Sequence, residues 1–303
     1  MARLIDDILI QKRVIQPWFV APHLEDKWAV HAHRIASLLA TQPPVILIDN
    51  VADYYFAADQ EMWSLDRDFP NLAPPFPSFW CEHRLPQKIH SKQCGDSDLQ
   101  ISHGRVGVLL LAVSPEQVTG EGWPEETRWC LVAELFIDYG SQGGIQGPHG
   151  TMMLAVDSEG RALDAPWMQG YHRTEDNEIM KSFFTWLHPM LLAVSFLHCK
   201  NVRVVENPVD KPLAKRFRER HGFAPSPHKT LIIEPLKQIL RTEGRAGEVG
   251  LAKAMHICRG HFKDYREGRG LFGKYHQIVW QPSVVRGSQK RGDAPAREIE
   301  VKV

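Results

Sequence analysis

An α+β fold is predicted for this 303-residue chain, with helices packed on a mixed or antiparallel sheet and a basic β-hairpin at the C-terminus. Three observations support it. Apolar residues recur at helical spacing in the first forty residues and again after residue 172. Between these regions lie consecutive strand-like runs with short links, which suit antiparallel pairing. Near the C-terminus, two extended runs flank a basic, glycine-containing connection.

The helices are predicted from their apolar faces. Two lie in "LIDDILIQKRVI" and "LEDKWAVHAHRIASLLA", and a longer one lies in "TEDNEIMKSFFTWLHPMLLAVSFLHCKNV". Pro189 should kink or divide the long helix, because proline removes one backbone hydrogen bond. A further, basic helix is predicted in "DKPLAKRFRERHG". Helices therefore occur on both sides of the strand-rich region.

The strands are predicted from short apolar or alternating runs bounded by turn residues. The runs are "PPVILIDNV", "RVGVLLLAV", "RWCLVAELFIDY", "VRVVEN" and "HKTLIIEPL". A hairpin is expected around the Ser-Glu-Gly turn of "TMMLAVDSEGRALDAPW". Residues 66–105 contain prolines and many polar breaks, and they are expected to be irregular.

The composition indicates a globular protein of a reducing compartment. Hydrophobic residues make up 43% and charged residues 24%, which disfavours wholesale disorder. The longest apolar runs are too short to cross a bilayer, and the N-terminus lacks the apolar region of a secretory signal. Five cysteines form no CxxC pair. We expect a cytoplasmic protein of a bacterial host cell, with no membrane partner.

Charge divides the chain although its formal net charge is zero. Up to Cys199 there are 14 Lys and Arg against 25 Asp and Glu, and from Lys200 onward there are 22 against 11. We predict an acidic α+β domain over residues 1–172, suited to target or peptide recognition, and a basic domain over residues 173–303. The basic part favours a polyanion partner, although the two parts could instead attract each other or simply be solvated.

The segment "HICRGHFKDY" concentrates cations and proton-transfer groups. If it is one strand, alternate side chains share a face, and an extra residue at Gly260 would change the face of His256. The candidate catalytic residues are His261, His256, Arg259, Lys263 and Tyr265. The candidate nucleic-acid-binding residues on the returning segment are Lys274, His276, Trp280 and Arg286.

Such a face suits metal-independent RNA cleavage. Histidine serves as base or acid near neutral pH, Arg and Lys stabilise a crowded phosphate, and aromatic rings stack on unpaired bases. Phosphate binding without catalysis and a purely structural face are the alternatives. His256, Cys258 and His261 offer ligand atoms without zinc-site spacing, so neither a metal nor a cofactor is predicted.

Two other polar groups are interpreted as structural. Glu82 and His83 in "WCEHRLP" are expected in a solvated turn. Glu134 and Asp138 could share one side of a strand, but a pair of carboxylates for acid/base work is a minor alternative.

The C-terminal stretch "HICRGHFKDY…VWQPSVVRGS" resembles the ending of a family encoded by phages and plasmids, which includes an anti-CRISPR protein directed at a type V effector nuclease. The positions that carry the resemblance are His256, Arg259, Gly260, His261, Phe262, Tyr265, Trp280, Gln281 and Pro282. The chain departs from the family at Cys258 and Phe262, where arginine and tryptophan are common.

The resemblance implies a mobile-element inhibitor that lowers expression of a specific target by acting on its translated messenger RNA. It also implies that the emerging polypeptide of the target is recognised. The expected partners are thus messenger RNA or the ribosome, and a nascent polypeptide. The alternatives are a non-catalytic protein- or RNA-binding module that recruits host factors, and a structural or assembly protein of a phage.

Overall fold

The computed structural model describes most of the chain. The described ranges are 3–11, 20, 22–57, 65–85, 88–91, 97–100, 104–118, 123–140, 144–163, 167–170, 177–199, 202–233, 254–258, 261–270, 276–281, 284–286 and 288–293.

The helices and strands of these ranges confirm the predicted α+β class. The helices are α1 (Leu4–Gln11), α2 (Glu25–Leu39), α3 (Asp49–Ala57), α4 (Leu65–Asp68), α5 (Asn177–Leu197) and α6 (Lys211–His221). The first eight strands are β1 (Val45–Leu47), β2 (Ser78–Arg84), β3 (Lys88–Ser91), β4 (Ser97–Gln100), β5 (Arg105–Val113), β6 (Trp129–Asp138), β7 (Ile145–Gln146) and β8 (Gly150–Val156). The others are β9 (Trp167–Gly170), β10 (Val202–Asn207), β11 (His228–Ile233), β12 (Ala254–Cys258), β13 (His261–Asp264), β14 (Ile278–Gln281), β15 (Val284–Arg286) and β16 (Ser288–Asp293).

A mixed sheet of nine described strands forms the centre of the fold. Its order is β10-β11-β1-β2-β5-β6-β8-β9, and β7 pairs with β6. Strand β1 is parallel to β11 and to β2, whereas the pairs from β2 to β9 are antiparallel. The sheet therefore combines a parallel part near β1 with an antiparallel part, as expected from the short links between the middle strands.

Helices cover both faces of this sheet. Ile5 of α1 and Ile35 of α2 belong to a core cluster with Trp80 of β2. On the other face, Phe56 of α3 and Trp186 of α5 have ring centroids 5.5 Å apart, and α3 also approaches His83 of β2. Neighbouring residues of a strand point to opposite faces. His83, three residues after Trp80, therefore lies on the face of β2 opposite to Trp80.

Gly107 of β5 shows how tightly the first face is packed. A Cβ atom added at this position would lie 2.0 Å from Cζ2 of Trp80. The indole thus occupies the space that any side chain at Gly107 would need, and it lies over the backbone of the neighbouring strand.

The prediction for residues 66–105 was wrong, because β2 is a buried strand of the sheet. Five consecutive residues of β2, from Phe79 to His83, are buried. Prolines cluster just before this strand and not within it, so the breaks in the sequence mark its approach. Helix α5 continues as one helix through Pro189, so of the two predicted effects of this proline, division of the helix does not occur.

Two compact units make up the chain. The first contains Met1–Leu197 and Val204–Leu231, and the second contains His198–Arg203 and Ile232–Val303. This division differs from the predicted boundary after residue 172. Helix α5 packs on α3, β5 and β6, so its apolar side belongs to the core of the first unit. Helix α6 also lies in the first unit.

Candidate nucleic-acid interface

The predicted C-terminal hairpin occurs as two short antiparallel ladders. His256 pairs with Arg286 and Cys258 with Val284, while His261 pairs with Gln281. Two residues separate the ladders on each strand, 259–260 on one side and 282–283 on the other. The described pairs of the two ladders follow one register, and Gly260, where an extra residue was predicted to change the face of His256, lies outside the described residues.

Strand β14, which pairs with β13, is buried on both faces. Phe262 and Trp280 are cross-strand partners, and their ring centroids lie 4.6 Å apart in an edge-on arrangement. Trp280 is only 3% exposed, and Val279 and Gln281 beside it are also buried. A ring that stacks on an unpaired base needs an open face, which Trp280 does not present in this structure.

The other candidate residues of the hairpin have different surroundings. Lys263 is half-buried and lies opposite Val279. Tyr265 is half-buried, and its backbone N–H donates to the carbonyl of Gln277 at 3.0 Å. His276 is exposed, with Nδ1 3.1 Å from the carbonyl oxygen of Arg266.

Five candidate residues are less completely placed. The structure positions His256, His261 and Arg286 by their backbone, and Arg259 and Lys274 lie outside the described residues. A common face for all nine candidates therefore stays a prediction. Within β13, Lys263 directly follows Phe262 and therefore projects to the opposite face of the strand.

Arg266, next to the hairpin strands, is already engaged. Its Nε and Nη2 atoms donate to Oδ2 of Asp264 at 3.0 and 2.7 Å. This fork-shaped contact neutralises one cation of the predicted basic connection. The described part of the hairpin is therefore less cationic than its sequence indicates.

Helix α6 presents its cations differently. Its five Lys and Arg residues are all exposed, and none of its residues is buried. The helix contains five cations and one acidic residue, Glu219. The carboxylate of Glu219 lies 4.0 Å from Nζ of Lys215. The sequence predicted a basic helix here, but the predicted site residues did not include any of its cations. The candidate residues were chosen by looking for proton-transfer groups along predicted strands. Counting the charges in each predicted helix would have identified the cations of α6 as well.

Local sequence explains why α6 forms and where it ends. Pro212 occupies the first turn, where its missing N–H costs nothing. Gly222 follows the last turn with φ +85°, and its N–H donates to the carbonyl of Arg218 at 2.8 Å. That left-handed conformation favours glycine, which ends the helix sharply. The side chains that anchor α6 are the half-buried Ala214, Phe217 and His221.

A buried ionic group in β2 corrects the expectation for Glu82. Glu82 is 0% exposed, and it accepts hydrogen bonds from the backbone N–H of Leu4 and from Nε1 of Trp80, each at 3.0 Å. Nε of Arg105 lies 2.5 Å from the same carboxylate. Burial raises the pKa of Glu82, although Arg105 acts in the opposite direction. The group attaches the start of α1 to the sheet.

Its neighbour His83 is likewise buried and not in a solvated turn. Nδ1 of His83 lies 2.9 Å from the carbonyl oxygen of Arg84. Burial lowers the pKa of His83, so its neutral form is favoured. Both residues of this predicted turn are therefore part of the interior.

Glu134 and Asp138 have separate partners. Glu134 is 1% exposed, accepts a hydrogen bond from Oγ1 of Thr151 at 2.8 Å, and lies 3.1 Å from Nε2 of His31. Asp138 accepts from the N–H of Gly140 at 2.8 Å. Four residues along a strand span about 13 Å, too far for a carboxylate pair that shares a proton.

Burial raises the pKa of Glu134, whereas His31 and Thr151 lower it. This carboxylate connects α2 to the middle of the sheet. Its partners account for its burial, and we assign it a structural role.

Comparison with known proteins adds no relative. No protein-family model, no curated protein and no solved structure matches the chain. Within the described residues, no helix has the length and apolar character needed to cross a bilayer. The same residues contain no group of three or more His, Cys, Asp or Glu side chains that could hold a metal ion.

Proposed function

We propose that this protein binds RNA through its basic C-terminal third and lowers the expression of a specific target by acting on that target's translated messenger. The observation that carries the proposal is that all five cations of α6 are exposed. Exposed Lys and Arg attract phosphates and release counterions from them. An excess of 22 cations over 11 acidic residues after Cys199 gives the surrounding sequence the same sign.

The resemblance of the C-terminal segment supports the finer part of the proposal. It implies action during translation and recognition of the emerging polypeptide. In this view the ribosome or the messenger is the RNA partner, and RNA binding by α6 brings the protein to it. The candidates for proton transfer are His261 and His256, as the sequence predicts.

RNA binding is tested directly with the purified full chain. Five cation–phosphate contacts predict a loss of affinity of roughly 10²–10³-fold between 50 and 200 mM salt. Fluorescence anisotropy of a labelled structured RNA measures this dependence. Replacing all five α6 cations by alanine should remove most of it. As a matched control, Lys27→Ala with Arg34→Ala removes two exposed cations of α2 and should leave binding unchanged.

Two results of the binding experiment would count against the proposal. Equal affinity of the wild type and the five-fold variant, at every salt concentration, would exclude α6 as the RNA contact. Absence of measurable RNA binding at low salt would exclude the proposed function itself.

Action on the messenger is tested in cells that express the protein with a candidate target. The target messenger is followed by its decay rate, with an unrelated messenger as the control. His261→Ala and the five-fold α6 variant are compared with the wild type. If both variants fail to accelerate decay of the target messenger, and the purified wild type cleaves RNA, the cleavage is assigned to this chain. If the α6 variant fails to accelerate decay but His261→Ala still does, and the purified protein does not cleave RNA, the cleavage is assigned to a recruited host nuclease.

A further inference from the structure

The cations of α6 form two rows on opposite flanks of the helix. At about 100° per residue, Lys211, Lys215 and Arg218 fall within about 60° of one another, and Arg216 and Arg220 lie together about 150° away. We call these the first row and the second row. All five side chains are exposed. The rows are therefore two separate cationic edges of one helix.

Packing leaves both rows accessible. The half-buried residues Ala214, Phe217 and His221 point in a third direction, between the two rows on the inner side. No residue of α6 is buried, so the helix projects from the first unit with only this stripe engaged. A ligand can approach the outer side and contact both flanks at once.

From these two rows we propose that α6 binds double-helical RNA, lying along a groove with one phosphate strand on each flank. The inference rests on the proposed RNA binding and specifies its ligand. A groove presents phosphates on two sides of an inserted helix, which matches two cationic rows with an outward face between them. A single strand presents one line of phosphates, and one row would be enough to follow it.

The dimensions of RNA select the groove. An α-helix with its side chains is about 10–12 Å across, and the major groove of A-form RNA is too narrow for it. The minor groove is wide and shallow, and it displays 2′-hydroxyl groups. Glu219 lies between the rows on the outer side, where its carboxylate faces the floor of the groove. Hydroxyl donors on that floor are suitable partners for a carboxylate.

The chemistry of α6 also disfavours recognition of unpaired bases. Such bases stack on exposed aromatic rings. Phe217, the aromatic residue of α6, is turned inward, with its ring centroid 5.3 Å from that of Phe223. Binding by α6 is therefore expected to depend on RNA shape and not on sequence.

The test compares three variants on three ligands. The ligands are an RNA duplex of about 20 base pairs, one of its strands alone, and a DNA duplex of the same sequence, all at equal nucleotide concentration. The first variant is Lys211→Ala/Lys215→Ala/Arg218→Ala, the second is Arg216→Ala/Arg220→Ala, and the third is Glu219→Gln. Affinity is measured from 50 to 200 mM salt with the full chain, and circular dichroism verifies the fold of each variant.

On the duplex, both row variants should weaken binding. The slope of log affinity against log salt should fall by about 2.7 for the first variant and about 1.8 for the second, since each lost phosphate contact contributes about 0.9. The single strand should bind more weakly than the duplex. Glu219→Gln should reduce the preference for the RNA duplex over a DNA duplex of the same sequence, because the carboxylate is matched to 2′-hydroxyl groups.

Two results would overturn this inference while leaving RNA binding intact. One is a single strand that binds at least as tightly as the duplex. The other is a salt slope that responds to only one of the two row variants. Failure of every RNA to bind would instead reject the proposed function, so the two failures are distinguishable.

Discussion

Glu82 in β2 and Arg218 in α6 are both charged residues of regular elements, yet their surroundings are opposite. Glu82 is completely buried and is held by Leu4, Trp80 and Arg105. Arg218 is exposed on a helix without a buried residue. Glu82 thus holds α1 on the sheet, whereas the cations of α6 are exposed and accessible to a ligand. Burial therefore distinguishes a structural charge such as Glu82 from the exposed cations that we propose as RNA contacts.

The largest expected effect comes from breaking the buried group. Glu82→Ala leaves the guanidinium of Arg105 without its carboxylate and removes the acceptor at the start of α1. Loss of one partner of a buried pair costs about 3–5 kcal/mol of unfolding free energy. Urea denaturation measures the change. The exposed pair between Glu159 and Arg161, at 2.8 Å, provides the control, since Glu159→Gln should cost less than about 1 kcal/mol. Equal effects of the two variants would contradict the distinction between buried and exposed charge.

A second prediction concerns a polar contact between α3 and α5. The hydroxyl of Tyr55 lies 2.7 Å from Nδ1 of His188, and Phe69 stacks on the same imidazole. Tyr55→Phe leaves the ring nitrogen without this partner and should cost about 1–3 kcal/mol. Thermal denaturation at pH 7.5 is the measurement. An unchanged melting temperature would show that the contact contributes nothing.

The same histidine predicts a direction of pH dependence. Burial lowers the pKa of His188 to about 4, below its ordinary value of 6.5. As pH falls, His188 is therefore protonated at a higher pH in the unfolded chain than in the folded chain. The stability linked to His188 is present above pH 6.5 and is lost as pH falls toward 4. Denaturation midpoints of wild type and His188→Phe across this range should show a smaller loss in the variant.

The stability linked to Asp7 of α1 changes with pH in the opposite direction, and its expected size is smaller. Burial, together with the charges of Asp138, Asp6 and Glu82, raises the pKa of Asp7 to about 6. The folded state then binds the proton more tightly, so the associated stability is present below pH 3.8 and is lost as pH rises through 6. Asp7→Asn should stabilise the protein at pH 7.5 by about 1 kcal/mol, after allowance for solvent screening of this half-buried group. A destabilised variant at that pH would contradict the assignment.

The smallest effect on stability is expected on α6. The first-row variant, Lys211→Ala/Lys215→Ala/Arg218→Ala, removes only exposed side chains and should change the unfolding free energy by less than about 0.5 kcal/mol per site. Denaturation of the variant beside the wild type measures it. A loss comparable with that of Glu82→Ala would mean that these cations have structural partners, and it would weaken their assignment to a ligand.

Prediction from sequence succeeded where local pattern determines structure. The bounds of α2, β5 and β6 follow from runs with clear helical or strand character. It failed for β2, where residues 81–83 are polar or small and follow a proline-rich stretch. Their burial depends on partners far along the chain, since Leu4 and Glu82 are 78 residues apart. A contact between residues so far apart in the chain produces no periodic pattern in the sequence.

The candidate site divides in the same way. The antiparallel pairing of the two C-terminal runs agrees with the predicted hairpin. Trp280 was expected to be open to a base, but its ring is covered because Phe262 lies directly opposite. Burial of an aromatic ring in a hairpin is decided by what packs over it, which alternation along one strand does not specify.

For α6, the sequence by itself determined the helix, its ends and the angular positions of its charges. Pro212 and Gly222 act locally, and helical geometry then places each cation. Only the tertiary structure decided which charges stay accessible, because accessibility depends on the neighbours that folding brings together. Those neighbours enclose Glu82 and Glu134 among partners from distant segments, and they leave the flanks of α6 open.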